Sequence, residues 1–272
     1  MPPEARRYWT DQMDAAYEFM QRLLAWPVRE CGERLCCLRR RAEAAGAEMV
    51  FATDLKLGIF ERRYEVRESL AEPLLAVGEA VRRCGYVLRV EDGYRPPARQ
   101  ARGACGDYAL QSALKWTRWE LGGAEPTAEL IFRRLAVWTA TTPKFANHTS
   151  GSAVDVTLLH PDGSPADLGG AYPEMSYVTP MDSPFITPEA RRRRRMLRDA
   201  FAGQGFVAYP YEFWHFSRGD ADAEMIAGTG QPARYGSVHW SDGQDHPIPV
   251  ADLLEPFLTV DDVRARLASS TG

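Results

Sequence analysis

The sequence predicts an α+β protein, because strands and helices follow one another in irregular order and the second half leaves gaps of hairpin length. Three segments carry that expectation. Apolar residues recur at helical spacing from Leu70, a β-branched run spans Ala153 to Leu159, and a short apolar run from Phe206 to Tyr209 follows directly on a helix.

Taken in order, residues 8–48 place Tyr17, Met20, Leu23 and Leu24 at helical spacing among charges, which reads as a helical N-terminal appendage. Leu70, Leu74, Val77, Val81 and Cys84 then repeat at three or four, the mark of one buried helix face, and Gly85 stops the helix. Tyr86 to Val90 reads as a strand. It ends in Glu91-Asp92-Gly93-Tyr94-Arg95-Pro96-Pro97, whose glycine and paired prolines break regular structure and leave Arg95 on a loop. A helix is expected from about Pro126 to Trp138, then a polar loop through Ser150, then the strand Ala153 to Leu159. Thr187-Pro188-Glu189 starts a helix that Gly203 closes, and the strand Phe206 to Tyr209 leads into Glu212-Phe213-Trp214-His215. Beyond Asp220 the chain is rich in Gly, Asp and Pro until Thr259 to Asp262 cap a last short helix.

Composition narrows the function classes. The chain of 272 residues carries 33 Lys and Arg against 37 Asp and Glu, a formal net charge of −4, so neither nucleic acid nor an anionic membrane is an expected partner. A small molecule or dipeptide is expected instead, and the oligomeric state is left open. No uncharged apolar window approaches membrane-spanning length, and Met1 to Glu18 contains no signal-type apolar core, so a cytoplasmic setting is expected. The five cysteines, Cys31, Cys36, Cys37, Cys84 and Cys105, are odd in number and form no CxxC pair, which favours reduced packing thiols over a thiolate metal site.

Two motifs carry chemistry. Asn147-His148-Thr149-Ser150-Gly151-Ser152-Ala153-Val154-Asp155 sets a histidine and an aspartate seven apart with small residues between them. On a strand, Ala153 and Asp155 share one face and Val154 and Val156 the other. Taken alone, the segment reads equally well as a surface hairpin with a capping aspartate. Glu212-Phe213-Trp214-His215 places a carboxylate and an imidazole three apart, and both reach one ion only if the chain turns or bulges near Phe213. Together, His148, Asp155 and His215 supply three ligands with a fourth position open, the arrangement of a catalytic zinc, and Glu212 remains free as general base. The same set also suits ferrous iron. Three histidines, His160, His239 and His246, lie outside any such spacing and are expected to be structural or solvent-facing, and Arg191 to Arg195 is expected to be a solvated helix.

A His-x6-Asp element followed some sixty residues later by Glu-x-x-His resembles the peptidases of family M15, and the VanX-type D-alanyl-D-alanine dipeptidases in particular. Asp92-Gly93-Tyr94-Arg95-Pro96 is similar to that family's DGYRP motif, whose arginine is associated with the developing oxyanion, a role the resemblance gives to Arg95. It covers roughly residues 55–240 and implies an antiparallel sheet carrying a zinc site, flanked by helices, as in the M15 or hedgehog-like peptidase core. The expected divisions are a helical appendage over 1–50, a zinc peptidase domain over 51–240 and an extension over 241–272.

Two departures bear on substrate. Ala146 stands where relatives carry a serine, and Gly169-Gly170-Ala171-Tyr172-Pro173-Glu174-Met175 has Pro173 where relatives place an aspartate for the dipeptide ammonium. Either Glu174 takes over that contact or the free amine is not recognised; Tyr172 and Ser152 are the other expected substrate contacts. The expected reaction is zinc-dependent hydrolysis of D-alanyl-D-alanine or a related small amide. The alternatives are a family member redirected to a biosynthetic amide, an exported wall peptidase, and a binding homologue without catalysis.

Overall fold

A computed structural model describes residues 3–269 of the chain. Its strands are β1 (Leu35–Cys37), β2 (Met49–Phe51), β3 (Glu65–Arg67), β4 (Val87–Asp92), β5 (Ala153–Leu159), β6 (Val207–Ala208), β7 (His215–Ser217), β8 (Val238–His239) and β9 (Ile248–Pro249). Its helices are α1 (Pro3–Leu24), α2 (Leu38–Ala45), α3 (Glu68–Arg83), α4 (Pro97–Ala104), α5 (Asp107–Glu120), α6 (Ala128–Thr139), α7 (Pro188–Ala202), α8 (Ala221–Ala227) and α9 (Val260–Ser269). The main sheet has five strands in the order β2-β4-β5-β7-β6. The α+β class is as expected, but the sheet is mixed. Pairs β4-β5, β5-β7 and β6-β7 are antiparallel, whereas β2 and β4 run parallel. The cause is α3, which carries the chain back along the sheet so that β4 starts at the same end as β2.

The helical spacing from Leu70 and the alternation in β5 meet in one core. Leu70, Leu74, Val77 and Val81 of α3 pack on Leu88 and Val90 of β4 and on Val154, Val156 and Leu158 of β5, all buried. Helix α7 adds Leu197 and Phe201, with Phe201 stacked on Phe216 of β7 at 3.9 Å between centroids. The Thr187 hydroxyl caps α7 by accepting from the Ala190 amide at 3.1 Å, as the Thr-Pro-Glu start implies. With α3 and α7 filling one sheet face, Ala153 and Asp155 are left on the other.

That second face is roofed by helices. Ala113 and Leu114 of α5, Ile131 and Leu135 of α6, and Leu258 and Val263 near α9 form a separate core. Sequence patterning gave residues 97–125 no element, yet α4 and α5 lie there. Helix α1 buries Trp9, Met13, Ala16 and Leu23, and packs across α5 and α6. The helical reading of residues 8–48 holds for α1 and α2, while Leu35–Cys37 between them is a strand paired with β3. Among the described residues no helix is long and apolar enough to cross a membrane.

Candidate metal and catalytic site

Sheet register assembles the site. Asp155 lies opposite His215 across β5 and β7 and opposite Asp92 across β5 and β4, so the three form one cross-sheet row. His148 comes from the 3₁₀ turn Asn147–Ser150 just ahead of β5. Glu212 sits in the connection between β6 and β7, where the His215 amide donates to the Glu212 carbonyl at 3.3 Å. A turn, not a bulge, therefore swings the Glu212 side chain onto the face of His215. The bulge is in β4, between Val90 and Asp92.

The His148, Asp155 and His215 side chains each offer one ligand atom within 4.8 Å of the others. His148 Nε2 lies 3.1 Å and His215 Nδ1 3.2 Å from Asp155 Oδ1. His148 Nδ1 lies 2.7 Å from the Gly93 carbonyl, a contact that selects the tautomer protonated at Nδ1 and leaves the Nε2 lone pair facing the carboxylate. Gly93 is itself packed against the backbone of residues 63–65, where a Cβ would meet the Glu65 carbonyl at 3.0 Å and the Arg63 carbonyl at 3.1 Å.

Around the triad lies a positive rim. Lys56 Nζ donates to Asp155 Oδ2 at 3.1 Å and to Asp92 Oδ2 at 3.2 Å, and the Tyr172 hydroxyl donates to Asp155 Oδ2 at 3.0 Å. Arg95 donates to Asp92 Oδ2 at 2.8 Å and to Gln100 Oε1 at 2.7 Å, while its backbone amide holds the His148 carbonyl at 2.9 Å. The DGYRP loop is thus bonded directly to the histidine motif. Lys56 was not singled out from the sequence, since it sits in an irregular loop without motif spacing.

The charges are set by burial and by one another. Burial lowers His148 to about 4, so its imidazole is neutral and able to coordinate. Burial opposes ionisation of Asp155, but His148 and Lys56 outweigh it and hold the carboxyl well below the ordinary range. His215 is pulled down by burial and pushed up further by its hydrogen bond to Asp155 and the charges of Asp155 and Glu212, for a net rise. Burial pushes Glu212 up to about 7, and the Trp214 indole donates to its Oε2 at 3.2 Å. A carboxyl with proton affinity near neutrality, oriented by an indole and 4.0 Å from His215 Nδ1, is suited to taking and returning a proton.

A cavity of about 410 Å³ opens over the site, lined by Lys56, Arg95, Glu212 and the triad, with Trp116 and Trp138 on the helical wall. Glu174 stands on this lining but is solvent-exposed, with Pro173 and Ala146 alongside. Tyr172 reaches the site through its hydroxyl. Ser152, expected to touch substrate, does not line the cavity; it is 1% exposed and donates to Asp220 Oδ2 at 2.6 Å, so its hydroxyl is bound inside the fold. Neither His160, His239 nor His246 lines the cavity, and the His160 ring lies 5.5 Å from that of Tyr86. Arg194 departs from the expected solvated run: it is 1% exposed and donates to the carbonyls of Leu168, Val178 and Pro180.

The profile of a family described as Peptidase_M15, D-ala-D-ala dipeptidase, matches residues 52–232. A D-alanyl-D-alanine dipeptidase of Synechocystis sp. is 26% identical over 227 residues, covering 72% of this chain and 86% of that protein. One from Enterococcus faecium is 30% identical over 148 residues, covering 54% and 69%. Among solved structures, the D,D-pentapeptidase VanY of a VanB-type resistance cassette, in complex with Zn(II), is similar at 16% identity with a TM-score of 0.39, covering 77% of this chain and 96% of that one.

Proposed function

The chain belongs to peptidase family M15, a family of zinc metallopeptidases, and from that premise we propose that it hydrolyses the amide bond of a small D-amino-acid dipeptide such as D-alanyl-D-alanine. The observation that carries the proposal is the convergence of three buried ligand atoms with the Glu212 carboxyl 4.0 Å from His215 Nδ1. The donor set fits zinc: two imidazoles, His148 fixed in a metal-ready tautomer, and an ionised carboxylate. His148, Asp155 and His215 would hold the ion, which supplies Lewis acidity to the amide carbonyl and acidifies water.

Glu212 accepts the proton of the attacking water and returns it to the leaving nitrogen, with the Trp214 indole holding the carboxyl in place. Arg95 donates to the carbonyl oxygen as charge develops on it, and Asp92 and Gln100 hold the guanidinium from behind. Glu174 borders the space left for substrate, whereas Tyr172 is not on that lining and acts through its hydrogen bond to Asp155. Five unpaired cysteines fit a reducing compartment, and a cytoplasmic setting is part of the proposal. A second reading, a larger amide from a biosynthetic route, is favoured by the cavity itself. Its volume falls within the range of about 300–1,000 Å³ that suits drug-sized ligands, and one wall is aromatic.

The test is metal analysis joined to turnover. Purified protein should carry one zinc per chain, and His148→Ala, Asp155→Ala and His215→Ala should each lose it. Glu212→Gln should keep the metal while turnover falls by about 100-fold or more. Full zinc occupancy in all three ligand variants, or loss of zinc in Glu212→Gln, would show the roles to be misassigned.

A further inference from the structure

The cavity over the site changes character from its sheet side to its helix side. On the sheet side it is charged, with Lys56, Arg95, Glu212 and the triad. On the helix side it is lined by Trp116, Val137 and Trp138, and its rim carries Leu57, Ile59 and Tyr108. Ile59 is 64% exposed and Tyr108 52%. Large apolar side chains gathered in water around the opening of one cavity mark a surface built to meet apolar matter.

The aromatic wall is braced from behind. Trp116 and Trp138 both lean on the fully buried Trp9 of α1, at centroid distances of 5.5 and 5.9 Å, and Trp119 closes on Trp116 at 5.3 Å. The Trp138 indole N–H donates to Met13 Sδ at 3.1 Å, so this side chain offers the cavity its ring and not its donor. Small residues keep the space in front of the rings open. Gly103 of α4 and Ala109 and Ser112 of α5 line the cavity, and a Cβ added to Gly103 would meet nothing within 4 Å. The cations of this wall leave its apolar character intact. Arg99 turns to Asp92 Oδ2 at 3.6 Å, while the exposed Arg102 and Lys115 lie over the rings of Phe60 and Trp116 at 5.7 and 5.6 Å.

A pre-formed apolar recess continuous with a polar reaction centre selects a ligand divided in the same way. We infer that Trp116, Trp138 and Ser112 border a specificity recess for an aromatic side group of the substrate, and that the chain prefers a dipeptide carrying one aryl residue to D-alanyl-D-alanine. The inference rests on the hydrolase reading above and names the substituent that its larger cavity admits. The two methyl groups of D-alanyl-D-alanine leave the rings wet, whereas a benzyl group laid against them removes its own apolar surface and part of theirs from water. Full burial of such a side group is worth roughly tenfold to 100-fold in affinity.

Binding reads the preference without reliance on turnover. Zinc-loaded Glu212→Gln protein is titrated calorimetrically with D-alanyl-D-alanine, D-phenylalanyl-D-alanine and D-alanyl-D-phenylalanine, and the series is repeated with Trp116→Ala or Ser112→Phe added. One of the aryl dipeptides should bind about tenfold or more tightly than D-alanyl-D-alanine, and which one does so shows which side of the amide faces the recess. Trp116→Ala, which removes the platform, and Ser112→Phe, which fills the space before it, should each cut that ratio by about fivefold or more. Ser112 is only partly buried, so its variant carries the test where Trp116→Ala loosens the Trp9 cluster. The inference is overturned if neither aryl dipeptide binds more tightly than D-alanyl-D-alanine, if none of the three binds, or if the preference survives Ser112→Phe. The hydrolase reading has its own arm, read on protein with Glu212 intact. Cleavage of D-alanyl-D-alanine without any aryl preference in binding keeps hydrolysis and removes the recess, whereas tight binding of an aryl dipeptide with none of the three cleaved refutes hydrolysis and leaves the recess standing.

Discussion

Arg194 offers a sharp test of how the cavity wall is held. Its side chain is 1% exposed, and among the described residues no carboxylate bonds to it. Instead Nε donates to the Leu168 carbonyl at 2.7 Å, Nη1 to Pro180 at 2.8 Å and Nη2 to Val178 at 2.8 Å, while the guanidinium lies 4.1 Å over the Phe213 ring. Burial lowers its pKa to about 10, which still leaves it cationic at neutral pH. One side chain therefore ties both ends of the 168–181 loop to α7 and to the turn that carries Glu212. Replacing it with methionine keeps much of the volume and leaves three carbonyls without donors. Hydrogen bonds from a charged group contribute about 1.5–3 kcal/mol each, but removing the cation also removes its desolvation penalty, so the sum is an upper bound. Leaving a buried acceptor unsatisfied costs about 1–3 kcal/mol, and with three carbonyls stranded and the desolvation penalty of the cation recovered we expect Arg194→Met to cost about 3–5 kcal/mol. At about 2–4 °C per kcal/mol for a chain of this size, the thermal midpoint should drop by roughly 6–20 °C. Urea unfolding followed by tryptophan fluorescence measures the same loss. Arg194→Lys, with its donors radiating from one point, should be intermediate. A methionine variant within about 1 kcal/mol of the natural protein would refute the clamp, since that is the scatter of an ordinary substitution.

Two further predictions concern the positive rim. Arg95→Ala should lower kcat by about 100-fold to 1,000-fold with Arg95→Lys recovering only part, and steady-state rates within about threefold of the natural protein would remove Arg95 from the mechanism. Burial would raise Asp92, but Lys56, Arg95, His148 and Arg99 outweigh it and hold the carboxyl below the ordinary range. Its stabilising contribution is therefore complete above the unfolded value of about 3.9 and is lost as pH falls through the lower folded value. Asp92→Asn should flatten the acid limb of stability against pH in the metal-free protein, and an unchanged acid limb would count against the ion cluster.

The parts of the site that were legible in the sequence share a cause. His148 and Asp155 lie on adjoining turn and strand, and Glu212 and His215 on one turn, so a short spacing encodes each pair. What joins the pairs is antiparallel register, and the β-branched run from Val154 to Leu158 announced the strand that supplies it. The helices of the roof were less legible. Segment 97–125 contains four glycines, with Gly103 in the last turn of α4 and Gly106 just ahead of α5, and its apolar residues face a core completed only by α6 and α9. Packing from distant segments decides such helices, and local periodicity reports it weakly.

The same distinction explains why the five arginines misled. A run with one residue type carries no periodicity, so nothing in Arg191 to Arg195 marks the one position that turns inward. Position on the helix marks it instead: Arg194 is three residues before Leu197 and four after Ala190, both buried, so it lies on the stripe that faces the core. A cation on that stripe is tolerable only where carbonyls converge, and the irregular 168–181 loop supplies them because its backbone has few partners of its own.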